Sequence, residues 1–125
     1  MKSTSAEVRA GVVVVHIRPN SLMDRVAIPR AEELVTEFID QGHTRFVLDM
    51  EDVEWLSSTG ASSLLHLWHT VRNIPKPNPQ LVLCKVGGKV RGILDTLNLT
   101  TILTTYDTAD EAVRALTTPQ PAATP

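Results

Sequence analysis

The stretch Val47-Leu48-Asp49-Met50-Glu51-Asp52-Val53-Glu54-Trp55-Leu56-Ser57-Ser58-Thr59-Gly60-Ala61 decides how this chain folds. It opens as an apolar run, passes through an acidic turn, and reaches three adjacent hydroxyls before a glycine. The pattern predicts a buried strand ending near Met50 and a helix beginning at about Ser58. Beyond the glycine, Ala61, Leu64, Leu65 and Trp68 fall at spacings of 0, 3, 4 and 7, with Val71 or Arg72 extending the stripe. That periodicity gives one apolar helical face, which must be buried against something flat.

The same unit recurs on both sides. Ala31, Leu34, Val35, Phe38 and Ile39 form one further stripe, Val90, Ile93, Leu94 and Leu97 another, and Ala109, Ala112, Val113 and Leu116 a last one. Between the stripes lie apolar runs of strand length at residues 12–17, 46–50, 81–86 and 102–106. They are β-branched and nearly continuous, as strands covered on both faces are. Alternation of strand and helix predicts parallel pairs joined by crossovers. The expected fold is therefore α/β: a mixed, largely parallel sheet of four or five strands packed with about four amphipathic helices. A short additional strand is expected around residues 26–28, between Pro19 and Pro29. The loop Pro75-Lys76-Pro77-Asn78-Pro79 would end the second helix. The first few residues and the Pro/Thr-rich stretch 117–125 read as disordered tails, which leaves one domain over residues 8–116.

Composition narrows the function. With 125 residues, 42% of them apolar, the chain can bury a core of its own. Twelve basic residues face fourteen acidic ones, and no basic cluster stands out, so phosphate-driven nucleic-acid binding is not expected. The longest apolar run, at residues 12–15, is too short to span a bilayer, and no signal-peptide pattern precedes it. Membrane insertion is not expected. The single cysteine, Cys84, sits within an apolar run and reads as a buried, inert thiol of a cytoplasmic protein.

Ser57, Ser58 and Thr59 are the residues on which chemistry is expected. One hydroxyl is explained by helix capping, in which a serine oxygen accepts a free backbone N–H for ~1 kcal/mol. Three in a row exceed what a cap needs. A helix start also offers unpaired N–H groups and a positive dipole end, which suit a phosphate. A phosphoserine there would add about -1.5 to -2 charges without melting the helix. Switching would then work through the outer surface.

The stretch resembles the STAS domain family and, within it, the bacterial anti-sigma factor antagonists. The family pattern is an apolar strand carrying an Asp, a short acidic turn, an aromatic or apolar pair, then Asp-Ser-Ser/Thr-Gly opening a helix. Here it reads Val47-Leu48-Asp49, Val53-Glu54-Trp55-Leu56 and Ser57-Ser58-Thr59-Gly60. The likeness continues through Leu81-Val82-Leu83-Cys84-Lys85-Val86, Lys89-Val90-Arg91-Gly92-Ile93-Leu94, Leu97-Asn98-Leu99, and the segment 102–116. It implies a single STAS-like domain that is not an enzyme and takes no cofactor. It further implies an anti-sigma factor/serine protein kinase as partner in a phosphorylation-controlled partner switch, with a serine phosphatase as a further partner. Carried over, the phosphoacceptor is Ser58, with Thr59 and Ser57 as weaker candidates. The docking surface comprises Glu51, Asp52, Glu54, Ser57, Ser58, Thr59 and Gly60. Two positions depart from the pattern. Ser57 replaces the motif Asp, and Arg18-Pro19-Asn20-Ser21-Leu22-Met23-Asp24 replaces the acidic turn expected after the first strand. These departures keep open a constitutive, unphosphorylated STAS scaffold of a transporter or sensory complex. A small-ligand module, for instance one binding nucleotide, is the remaining alternative.

Other signals lead nowhere specific. His66 and His69 lie three apart on a helix, with no cysteine or carboxylate at ligand spacing beside them, so no metal site is expected. His16 and His43 are isolated and read as structural or surface residues. Gly87-Gly88-Lys89 lacks the remainder of a phosphate-binding loop. Ser58 lacks the Gly-x-Ser-x-Gly elbow of a hydrolase nucleophile.

Overall fold

The computed structural model describes residues 4–18 and 27–117. Among them are the strands β1 (Ser5–Arg9), β2 (Val12–His16), β3 (Arg45–Asp49), β4 (Gln80–Cys84) and β5 (Thr105–Tyr106). The helices are α1 (Ala27–Asp40), α2 (Ser58–Arg72), α3 (Gly88–Thr96) and α4 (Ala109–Thr117). The strands form one mixed sheet in chain order, β1-β2-β3-β4-β5. Only β1 runs antiparallel to its neighbour.

Chain order in the sheet explains where the helices lie. Crossovers between parallel strands share one hand, so three successive steps in one direction place their helices on one face. On that face α1, α2 and α3 bury Ala31, Val35, Ala61, Leu64, Leu67, Val71, Val90 and Leu94 against Val13, Val15, Phe46, Leu48, Leu81 and Leu83. On the opposite face α4 is the one covering helix among the described residues, and its Ala109, Ala112, Val113 and Leu116 pack on Val12, Val14, Val47, Val82 and Cys84. The central strands are thus apolar on both faces, as their continuous runs require.

Several expectations change. Ala27 and Ile28 belong to α1, not to a short strand, while Val26 lies outside the described residues. Pro29 occupies the first helical turn, where its missing N–H costs nothing. The chain start is structured from Thr4 onward, and β1 includes Ser5, Ala6 and Glu7, ahead of the boundary drawn at residue 8. Its sequence escapes notice because only Ala6 and Val8 are apolar, both on one face of an edge strand. Residues 102–106 are mostly not a strand: a 3₁₀ turn at Leu99–Thr101 leads into a loop, and β5 keeps only Thr105–Tyr106. On α2, Leu67 is buried in the core, whereas Leu65 and Trp68 are only partly covered. Leu97 follows the end of α3 and is exposed. Thr117 closes α4, and the remainder of the expected tail lies outside the described residues.

Cys84 is fully buried under α4, and burial together with the nearby Asp49 carboxylate pushes its thiol up to about 12. The thiolate is the reactive form, so native chain at neutral pH should resist alkylation. The labelling rate should rise across a denaturant series with the population of unfolded chain. Fast, denaturant-independent labelling would contradict this burial.

Candidate functional site

The site is built on the turn between β3 and α2. Asp49 ends β3 as one of the few buried polar residues, 5% exposed. Its Oδ2 lies 2.7 Å from His16 Nδ1 at the end of β2, and its Oδ1 accepts the Glu51 N–H at 3.0 Å. The carboxylate therefore ties two parallel strands together and shapes the start of the turn. The Met50 N–H bonds the Cys84 carbonyl at 2.9 Å, and the Val53 N–H bonds the Met50 carbonyl at 3.0 Å. Val53 and Leu56 then plug into the core. Between these anchors Trp55 is 52% exposed. Trp55 thus presents about half of its surface to solvent between the buried Val53 and Leu56.

Ser57 is the N-cap of α2. Its backbone is extended and its Oγ accepts the Gly60 N–H at 2.9 Å. Serine and aspartate both serve well at this position, so the exchange of the motif Asp for Ser57 keeps the cap and removes only its charge. A Cβ on Gly60 would lie 3.2 Å from Leu56 Cδ2 and 3.5 Å from Ser57 Oγ. The glycine leaves room for the cap and the Leu56 plug to meet. A Ser57→Ala chain should lose ~1 kcal/mol of stability, read as a lowered midpoint in urea unfolding. An unchanged midpoint would show that the cap bond contributes nothing.

Ser58 and Thr59 occupy the first two helical positions, and both are exposed. At those positions the backbone N–H groups have no intrahelical acceptor. The three hydroxyls thus divide into two kinds: Ser57 is engaged in the cap, and Ser58 and Thr59 face outward. The acidic residues also differ among themselves. Glu51 lies 3.6 Å from Lys85 Nζ, and Asp52 lies 3.8 Å from Arg18 Nε. Glu54 is exposed and has no ion pair among the described residues. The outward surface is therefore Glu54, Trp55, Ser58 and Thr59, flanked by two carboxylates already partnered.

Sequence reasoning missed one cluster. His16, read as isolated, faces carboxylates on both sides: Asp49 at Nδ1, and Glu7 Oε2 3.4 Å from Nε2. Glu7 is also bonded by Arg9, which holds its carboxyl below the usual range, with His16 adding to the effect. Arg9 in turn reaches Asp110 of α4 at 3.1 Å. This chain of polar contacts links β1, β2, β3 and α4. His43 packs edge-on against Phe38. His66 lies 3.9 Å from Glu32 of α1, and His69 packs edge-on against Trp68. Among the described residues no group of three His, Cys, Asp or Glu side chains is arranged to hold a metal ion, and no helix is long and apolar enough to cross a membrane.

A five-stranded sheet in chain order, with three helices on one face and a hydroxyl-rich helix start at its rim, defines a small α/β domain of a recognised kind. The STAS domain family matches residues 3–112, and the chain belongs to that family. No curated protein matches the sequence. Among solved structures, an anti-sigma factor antagonist from Mycobacterium paratuberculosis is 23% identical, with a TM-score of 0.75 over 91% of this chain and 92% of its own. The phosphorylated form of the Bacillus cell fate determinant SpoIIAA is 17% identical, with a TM-score of 0.67 over 91% of this chain and 99% of its own. A chain from the stressosome, a signal integration and transduction hub, is 19% identical, with a TM-score of 0.71 over 90% and 95%. At these identities the likeness is one of fold.

Proposed function

We propose that this domain is an anti-sigma factor antagonist that acts by binding, not by catalysis. Its partner is an anti-sigma factor/serine kinase in the cytoplasm, engaged while Ser58 is unphosphorylated. The observation that carries this reading is the division of labour at the start of α2. Ser57 is held in the cap, while Ser58 stands exposed at the first helical position beside the outward-facing Trp55. Aromatic side chains are favoured anchors at interfaces, and a phosphate at a helix start is tolerated by the dipole. Phosphorylation there would leave the fold intact and change only what a partner meets.

The acidic part of the docking surface is Glu51, Asp52 and Glu54, of which Glu51 and Asp52 also lie near Lys85 and Arg18 of the same chain. The test is capture of binding proteins from the native host with wild-type and Ser58→Glu chains, followed by mass spectrometry. A serine kinase retained by wild type and lost by the variant supports the switch. The same partners on both chains would overturn it.

A second reading is favoured by one observation, the uncharged Ser57 at the cap. If the kinase requires the acidic neighbour that the family pattern places there, Ser58 stays unmodified and the domain is a constitutive scaffold. The intact mass of chain purified from its host separates the two readings.

A further inference from the structure

We propose that β1 is a self-association edge, pairing antiparallel with β1 of a second copy about a two-fold axis at Val8. Among the described residues the sheet has two edges with no pairing strand, β1 and β5, and they differ. β5 is two residues long, too short to template a partner, whereas β1 presents five residues. Natural edge strands are usually blunted by short length, charged side chains, Pro or a bulge, and β1 carries only the two charges Glu7 and Arg9. β1 contains no Pro, and its register with β2 is unbroken from Ser5 opposite His16 to Arg9 opposite Val12. Its side chains include Val8, 47% exposed, an apolar β-branched residue left uncovered at the rim.

Hairpin geometry shows which backbone groups are open. Ala10 and Gly11 both have positive φ, 51° and 82°, as the two-residue turn between β1 and β2 requires. Such a turn is closed by Arg9 and Val12, which exchange both their bonds. By alternation Ser5, Glu7 and Arg9 bond inward to β2, and Ala6 and Val8 direct their N–H and C=O groups to the open edge. Among the described residues no backbone bond from outside the hairpin reaches β1.

Charge then selects the occupant and the register. With the axis at Val8, the two Val8 residues exchange backbone bonds and cover each other. Glu7 of each copy falls directly opposite Arg9 of the other, the closely spaced type of cross-strand pair. β1 is therefore complementary to itself. Shifting the axis to Glu7 would add backbone bonds but set the two Glu7 carboxylates face to face. Arg9 already meets Glu7 and Asp110 within its own chain, yet a guanidinium has five donors to share. A single short strand pair buries less than the ~1,200 Å² of a stable complex, so association is concentration-dependent and reversible. Because α2 starts after β3, two strands in from β1, its first turn is not part of the pairing edge.

Sedimentation equilibrium of the full chain, in a series reaching millimolar concentration, tests the proposal. The average mass should rise toward that of two chains. A Val8→Lys variant, tolerated by an exposed position, should remain monomeric with an unchanged circular dichroism spectrum. Glu7→Gln should weaken association roughly two- to tenfold, while Ser58→Glu should associate like wild type. A monomer throughout overturns the proposal, and so does a Val8→Lys chain that dimerises as wild type does. Stronger association of Glu7→Gln would place the axis at Glu7 and overturn the register.

Discussion

An Asp49→Ala chain should unfold about 10 °C below wild type in a thermal melt followed by circular dichroism. Asp49 is nearly buried and uses both oxygens, one on His16 Nδ1 at 2.7 Å and one on the Glu51 N–H at 3.0 Å. Removing Asp49 leaves two partners, the His16 imidazole and the Glu51 N–H, without their acceptor, at about 1–3 kcal/mol each and about 2–6 kcal/mol together. Here the cost falls toward the lower figure, since Glu7 still faces the second imidazole nitrogen. For a domain between the sizes usually tabulated, about 3 kcal/mol corresponds to roughly 10 °C. Asp49→Asn keeps the shape and one acceptor, and should lose less than half as much. A double-mutant cycle with His16→Ala isolates the pair: the losses of the two single variants should overlap and not add. A midpoint within a degree or two of wild type would show that the tie between β2 and β3 is energetically idle.

The second large effect is functional. Ser58→Glu should reduce partner affinity about a hundredfold while leaving the melting midpoint nearly unchanged. A loss of ~3 kcal/mol at an interface, from a like charge or a blocked contact, is a hundredfold in affinity. The fold should not suffer, because Ser58 is exposed and a negative charge at the helix start is favourable. Ser58→Ala should bind as wild type does. Titration at two salt concentrations distinguishes the cause. Repulsion between exposed charges weakens as salt rises, whereas steric blockage does not. Equal affinity of the Ser58→Glu and wild-type chains for an isolated kinase partner would refute the switch.

Much of the architecture was legible in the order of residues. The apolar stripes on α1, α2, α3 and α4 and the apolar cores of β2, β3 and β4 follow from residue spacing alone. Each such element buries enough side chains to leave a periodic trace. The helix start was equally legible, since capping and turn chemistry act over a few residues. Where few side chains are buried, the trace disappears. β1 has only Ala6 and Val8 on its apolar face, and β5 keeps only two residues, so neither strand is marked by periodicity. The loop before β5 kept the apolar look of a strand because Leu103 enters the core without strand pairing.

What the sequence by itself determined about this protein is local: which segments are helical, which strands are covered on both faces, and where a hydroxyl cluster meets a helix start. Only the tertiary structure decided which hydroxyl is engaged and which is free. Ser57 and Ser58 are chemically identical neighbours, and the extended backbone of Ser57 ahead of the first helical residue makes it the cap and leaves Ser58 exposed. The cluster of Glu7, His16 and Asp49 was likewise a product of the sheet. His16 and Asp49 are 33 positions apart in the chain and become neighbours only because β2 and β3 pair in one register. Periodicity records how each residue relates to its own element. Charge contacts between elements depend on register and on the order of strands, which are set by how all the buried faces pack at once.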